Sequence, residues 1–380
     1  MPSVTIPYPP VISNKISWAV ATILAILLAG PVPAQARSHW TLVNPGVREP
    51  GRMFVPANLF FTDARHGVLV GSDPAPKKGG PGIVWTADGG RSWHPAKIEA
   101  DLKNTNLSGL WFSSAHLGWA DGMMPGSWAG PCVLLKTTDG GRTWRQVALP
   151  KFITVLGHVW FGPRGQHGRL MPNGQQYFWQ TTDGGKNWKR VNVPWPFFGG
   201  EIVSWRHLVL AGPVGTVLLS TDAGRKWIKV RTGLKGPAAG LSAIRFVKDS
   251  QVGWAVGGQG KWIENGGWMM ALDPVILHTV NGGKTWSSQP TPRGQSGMLN
   301  TVWAISPKEA WVGSMLGYAY PDPWSFPPWL LHTTNGGRTW PDVLQNMVSI
   351  RKLFFVDARH GWAIVARNEI GGFVLIYHRR

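Results

Sequence analysis

The chain has a single cysteine, Cys132, which excludes an intrachain disulfide framework and any multi-cysteine metal site. In the apolar run 131–135 that cysteine reads as a small buried side chain rather than a reactive thiol. Charge is scarce as well: 15% of residues are charged, against an average of about 25%, and Glu occurs six times in 380 residues. Strong helix formers give way to 49 Gly and 31 Pro, together 21% of the chain, so a large helical domain is excluded. The eleven His are scattered without an HExxH pair, so neither a metal nor another cofactor is expected. No G-x-S-x-G elbow is present, and the recurring Gly-Gly-Arg/Lys leads into a strand, not into a helix whose N-terminus could hold phosphate.

Only one long apolar run occurs, the 14 uncharged residues 16–29, preceded by Lys15 and followed by Ala34-Gln35-Ala36. The run is shorter than the roughly 20 residues that span a bilayer, and its flanks are those of a secretory leader. Residues 1–36 are therefore expected to be a cleaved signal peptide, and 37–380 one exported domain in the periplasm or outside the cell.

What the chain does have is 43% apolar residues, 24 Trp and 14 Phe, enough for a sizeable core. It also carries 38 Lys plus Arg against 19 Asp plus Glu, a formal charge of +19. Such a balance suits nucleic acid, an anionic membrane surface or an acidic protein. Export makes nucleic acid an unexpected partner.

One octapeptide recurs: TADGGRSW at 86–93, TTDGGRTW at 137–144, TTDGGKNW at 181–188, STDAGRKW at 220–227, TVNGGKTW at 279–286 and TTNGGRTW at 333–340. Its Trp residues lie 51, 44, 39, 59 and 54 positions apart, the period of four-stranded propeller blades with variable loops. Each copy reads as strand, tight turn, strand. The third residue, Asp88, Asp139, Asp183, Asp222, Asn281 or Asn335, accepts turn N–H groups, and the glycines supply positive φ. These six positions are structural. Seven apolar strand pairs accompany six octapeptides, at 59–71, 110–122, 155–170, 202–212, 244–257, 302–313 and 353–366. The last pair is followed by a single strand near 372–377. The missing fourth strand is available at 40–43, so the sequence predicts an all-β, seven-bladed β-propeller closed by its N-terminal strand.

The pattern [ST]-x-[DN]-x-G-x-x-W is similar to the Asp-box, or BNR, repeat of sialidases and their non-catalytic relatives. With Gly-Trp-Ala at 118–120, 253–255 and 361–363, the chain resembles the photosystem II assembly and stability factors of the thylakoid lumen and their bacterial relatives, over nearly all of 39–380. The resemblance implies a propeller without enzymatic activity. It also implies a monomeric lumenal or periplasmic scaffold for a membrane-associated protein client.

Two faces are candidates for binding. Long connections at 72–82, 123–131, 258–274 and 314–328 carry Trp128, Trp262, Trp268, Tyr318, Tyr320 and Trp324, with Trp329 just beyond. Such groups suit an apolar or peptide partner, and they equally suit small cores that hold long loops still. The opposite face carries Arg91, Arg142, Lys186, Arg225, Lys284 and Arg338, each sixth in its octapeptide. This basic ring reads either as solvated turn residues or as a seat for an anionic membrane surface or an acidic client segment.

An enzyme of the same superfamily, a glycoside hydrolase or a sialidase-like protein, is the alternative. A sialidase is disfavoured because the family's Arg-Ile-Pro signature is missing; Arg52 and Pro56 have the wrong spacing. A glycosidase needs two carboxylates about 5 to 9.5 Å apart; outside the turns the candidates are Asp73, Asp101, Asp121, Glu201, Glu264, Asp273, Asp322 and Asp342, and Asp121, expected near the channel mouth, is the first acid to inspect.

Overall fold

The computed structural model describes residues 40–43, 54–72, 81–100, 102, 105–123, 132–151, 153, 157–234, 240–260, 272–291, 298–314, 329–343, 349–366 and 373–379. Strands form seven sheets, and the described residues contain no helix. Each sheet is a propeller blade. The inner strands are Val55–Phe61, Asn106–Phe112, His158–Phe161, Gly199–Ile202, Gly240–Phe246, Leu299–Ser306 and Ser349–Phe355, for blades 1 to 7. The leader and the long connections that carry Trp128, Trp262, Trp268, Tyr318, Tyr320 and Trp324 lie outside the described residues.

Apolar patterning explains the layering. Second and third strands such as Leu208–Ala211 and Thr216–Ser220 are buried along their whole length, because a neighbouring blade covers each face. The outer strand Ile228–Arg231 buries only Val230.

A three-ring contact joins the blades. In blade 3 the last inner-strand residue, Phe161, meets the octapeptide Trp188 edge-on at 6.2 Å and is stacked at 4.0 Å by Trp119 of blade 2. Phe61 is held in the same way by Trp93 and, at 3.5 Å, by Trp362 of blade 7. The glycine before each such Trp is required: a Cβ on Gly118 or Gly361 would lie 2.6 or 2.2 Å from the ring of Phe112 or Phe355 in its own blade. Gly-Trp-Ala is thus a device for packing blade on blade.

The octapeptide turns have one repeated network. In blade 1 the Thr86 hydroxyl donates to Asp88 at 2.8 Å and accepts from the Gly90 N–H at 2.9 Å, while Asp88 accepts the Ser92 N–H at 2.9 Å. Asn281 and Asn335 accept the equivalent N–H groups of Thr285 and Thr339. The Gly89 N–H donates to the Arg65 carbonyl at 2.8 Å, tying this turn to the turn between the two inner strands. The same tie recurs from Gly140, Gly184, Ala223, Gly282 and Gly336. It places both sets of turns on one face of the propeller.

Closure follows the expected route. Trp40–Val43 pairs antiparallel with Phe373–His378, from Trp40 opposite Tyr377 to Val43 opposite Val374. Trp40 lies edge-on to Phe355 at 6.0 Å, so it acts as the seventh octapeptide Trp. Two blades depart from the four-strand plan. Lys97–Glu99 pairs parallel to Thr143–Val147 and gives blade 2 a fifth strand, leaving blade 1 the two-residue outer strand His94–Pro95. Blade 6 has three strands among the described residues, and its outer segment keeps only a bridge between Leu331 and Asp342. Pro341, beside Trp340, has no N–H to extend that ladder.

Trp40 is 8% exposed and touches Trp311, Phe355 and Tyr377, so Trp40→Ala should cost about 3–5 kcal/mol in urea unfolding. Deleting residues 371–380 removes the partner strand and should leave an aggregating open ring. Unchanged thermal stability of the truncated chain would refute closure by this strand.

Candidate functional site

Five inner strands carry a β-bulge at the same level, between Pro56 and Asn58, Leu107 and Gly109, Leu241 and Ala243, Leu299 and Thr301, and Ile350 and Lys352. A bulge turns its extra residue out of the ladder. Here the repeated bulges bring polar groups to the propeller axis, where a cavity of about 310 Å³ is lined by Asn58, His158, Glu201, Arg245, Arg351 and Lys352 among others. The bulges lie near the starts of the inner strands, which places the polar level towards the face of the interblade connections.

One level deeper, the matching inner-strand position, two residues past the bulge in the five bulged strands, is Phe60, Trp111, Trp160, Glu201, Arg245, Trp303 or Phe354 in blades 1 to 7. Five are aromatic and form a continuous arc: Trp160 to Trp111 at 6.3 Å, Trp111 to Phe60 at 5.5 Å, Phe60 to Phe354 at 4.9 Å and Phe354 to Trp303 at 4.4 Å. The remaining two make an ion pair of 3.1 Å, with the Arg245 guanidinium 3.8 Å from the Trp303 ring centre. The Glu201 carboxylate also accepts the Phe246 N–H. Trp303 and Phe354 are 9% and 6% exposed, and the Trp111, Trp160 and Trp303 rings line the deeper end of the cavity as its floor.

The charges in the cavity do not cancel. Glu201 is matched to Arg245, while Lys352 and Arg351 have no carboxylate partner among the described residues. Burial, then the nearby Arg245 charge, push the Lys352 ammonium down to about 8, which leaves it mostly protonated at neutral pH. The His158 imidazole keeps solvent contact within the cavity, yet the surrounding wall and then Lys352 push it down to about 4, so it is neutral. Burial raises the Glu201 carboxyl, with Arg245 and the Phe246 N–H opposing the rise. The result is a cationic, aromatic-floored site. Its walls are stiffened by interblade bonds from the Asn58 amide to the Ser108 carbonyl at 3.0 Å and from Asn300 to the Ile350 carbonyl at 2.9 Å.

Of these channel charges the sequence singled out only Glu201, as one acid among eight, although aligning the seven inner strands shows Glu201 and Arg245 as the two charged members of an aromatic column. Of the long-loop candidates, Trp329 requires correction: it is 2% exposed and belongs to the blade 5–6 core with Trp254 and Trp340, so it presents no binding surface. The basic candidates Arg91, Arg142, Lys186, Arg225, Lys284 and Arg338 are all exposed. Two of them bind their own turns, Arg91 to the Asp88 carbonyl at 2.9 Å and Arg142 to the Asp139 carbonyl at 3.0 Å. Asp139, Asp183 and Asp222 are engaged as Asp88 is. For Asp183, hydrogen bonds from the N–H and side chain of Asn187 and from Thr181 hold the carboxyl down at about 2.

Seven blades, Asp-box turns and a closed ring define a BNR-type β-propeller. Within that class, the model of the photosynthesis system II assembly factor YCF48 family matches residues 32–189. The photosystem II assembly lipoprotein Ycf48 of Synechococcus sp. (strain CC9902) is 28% identical over 158 residues, covering 38% of this chain and 41% of that protein. The chain thus matches less than half the length of that relative. Among solved structures, YCF48 bound to D1 peptide superposes with a TM-score of 0.64 at 20% identity, over 92% of this chain and 100% of that one. YCF48 from Cyanidioschyzon merolae gives 0.59 at 18%, over 89% and 98%. The GH74 xyloglucanase from Xanthomonas campestris gives 0.60 at 14%, over 88% and 53%. At these identities the superpositions show the shared propeller fold.

The acid singled out for glycosidase chemistry does not reach the channel. Asp121 is fully buried within blade 2, behind Gly109, where a Cβ would lie 1.4 Å from its Oδ1. Neither oxygen has a hydrogen-bond partner of good geometry. Burial drives its carboxyl up to about 7, with the amides of Asp121 and Gly109 opposing weakly. The half-buried Cys132 thiol is pushed up to about 12 by burial and by Asp121.

Since the folded carboxyl holds its proton to about 7 and the unfolded one only to 3.8, folding must take up a proton between these values. That cost is absent below pH 3.8, grows as pH rises and levels off above 7 at about 4 kcal/mol, taking 1.36 kcal/mol per unit. Asp121→Asn should therefore gain stability over the parent from pH 4 to pH 7, by no more than that amount, and hold the gain above. Parallel unfolding curves across this range would show that Asp121 is not protonated in the fold.

Proposed function

We propose that this protein is an exported, non-catalytic scaffold that holds a membrane-protein client during assembly, and that in a photosynthetic host the client is a photosystem II subunit. The observation that carries this reading is the axial cavity: an aromatic-floored recess with two cations that have no carboxylate partner among the described residues, suited to gripping part of another chain. The partial family match supports the assembly role, and the relative described as an assembly lipoprotein supports export to the periplasm or thylakoid lumen. A cleaved leader over 1–36 and a monomeric propeller over 37–380 complete the reading.

The carbohydrate-active alternative is weakened by the placement of its acids. Of the acids examined for it, Glu201 lines the cavity and is tied to Arg245, and Asp121 is sealed inside a blade. Both are poorly placed for the paired-carboxylate chemistry of a glycosidase. Asp73, Asp101, Glu264 and Asp322 lie outside the described residues.

Crosslinking and affinity capture of the full chain from native-host membranes should recover a membrane-protein client. Arg351→Ala combined with Lys352→Met should lower the yield severalfold. Turnover of an oligosaccharide by the purified protein, or capture indifferent to the double variant, would sink this reading.

A further inference from the structure

Six large apolar side chains are exposed among the described residues, and three of them, Trp195, Phe198 and Val214, lie where blade 3 passes into blade 4. Trp195 and Phe198 flank the end of the blade 3 outer strand Lys189–Phe197, and Val214 is at the tip of the turn between the second and third strands of blade 4. The Phe198 N–H donates to the Ala211 carbonyl at 2.8 Å, and a Cβ on Gly212 would lie 2.6 Å from the Pro196 carbonyl oxygen. These contacts set the Trp195–Phe198 segment beside the blade 4 turn, on the face of the interblade connections. The three side chains are 47%, 48% and 58% exposed.

Val214 is held there against its backbone preference. The Thr216 N–H donates to the Pro213 carbonyl at 3.1 Å and closes a turn whose two central residues, Val214 and Gly215, have φ of 55° and 61°. That conformation favours Asn-Gly, and a β-branched residue is an outlier in it. Blade 3 has Asn173 before Gly174 at the equivalent turn. An Asn at 214 would relieve the backbone and remove an apolar side chain from water, so the fold bears two costs to display a valine at this point. Strain of this kind collects where a side chain is used.

The surroundings select the partner. The outer strands Lys189–Phe197 and Ile228–Arg231 contribute exposed Lys189, Arg190, Lys229 and Arg231, and no acid. The Lys229 ammonium lies 3.9 Å from the Trp195 ring centre. Lys is depleted from the cores of protein interfaces. A Trp with a Lys beside it suits the headgroup level of a bilayer, where the ring stays at the apolar boundary and the ammonium reaches phosphate. Three projecting apolar groups beside cations without a local counter-charge match an anionic lipid surface.

We propose that this corner of the propeller docks on an anionic bilayer, with Trp195, Phe198 and Val214 entering the headgroup boundary and Lys189, Arg190, Lys229 and Arg231 contacting lipid phosphates. This goes beyond the scaffold reading and does not rest on it. Docking turns the face of the interblade connections to the membrane.

Sedimentation of the full chain with vesicles of phosphatidylglycerol and phosphatidylcholine in equal parts, and with phosphatidylcholine alone, tests the proposal. Binding to the mixed vesicles should be about tenfold tighter and should weaken as salt rises. Val214→Asn should weaken it severalfold while raising the thermal midpoint, which separates lost docking from lost folding. Trp195→Ser combined with Lys229→Gln should weaken it about tenfold. Val280→Asn, at a comparably exposed valine in an octapeptide turn on the opposite face, should change nothing. A polarity-sensitive fluorophore on Val214→Cys should shift to the blue when mixed vesicles are added, and the same label on Val280→Cys should not. The remaining thiol, Cys132, is pushed up to about 12 by burial and labels poorly at neutral pH. Equal binding to both vesicle types, variants that bind as the parent does, or a label at 214 that responds no more than the label at 280 overturns the proposal. A Trp195→Ser, Lys229→Gln variant that keeps full vesicle binding but loses client capture from native membranes makes the corner a protein contact and also overturns it. The scaffold reading is judged by capture and survives a failure of vesicle binding.

Discussion

The structure depends on one repeated contact, the ring at the end of an inner strand held between two tryptophans. Phe161 is gripped edge-on by Trp188 of its own blade and stacked by Trp119 of the blade before, and Phe61 and Phe355 are held in the same manner. The edge-on partner fixes the outer strand to the inner one. The stacked partner fixes the blade to its neighbour. One aromatic side chain therefore joins the two directions in which a propeller could come apart, and aromatic pairs of this kind add to the burial of their area. Six of the chain's 24 Trp serve this contact at Phe61, Phe161 and Phe355.

Rigidity of the wall is what makes the axis useful. Bulges at one level in five blades turn polar residues inward, while amides of Asn58 and Asn300 reach across to the backbone of the next blade. The cations of the recess are held where water cannot fully screen them. The cost is visible at Lys352, whose ammonium is pushed down to about 8. Asp121 bears a similar cost for a different reason: it occupies the space that Gly109 leaves in the adjoining strand, closed off from the recess.

Most of the fold was legible because its determinants are local. The Thr–Asp–Gly turn works within eight residues, strands are marked by short apolar runs, and the seventh Trp could be sought at Trp40 once six were counted. Departures arose where neighbouring blades compete for one segment. Lys97–Glu99 joined blade 2 because its backbone could pair with Thr143–Val147, and Trp329 went to the blade 5–6 core instead of the surface. Neither outcome has a local signature, since each depends on which edge lies nearest after the ring has closed.

Taken alone, the sequence determined the number of blades, the route of closure, the structural nature of the octapeptide and the excess of positive charge, all of which follow from spacing and composition. Which charges matter was decided only in three dimensions. Glu201, Arg245, Arg351 and Lys352 come from three blades and are unremarked polar residues in their own strands. Sevenfold winding around one axis brings them together, pairs two of them across a blade boundary, and leaves the other two above an aromatic floor with no carboxylate partner among the described residues. A charge becomes a binding group when its surroundings exclude water and withhold a partner, and those surroundings are supplied by distant segments of the chain.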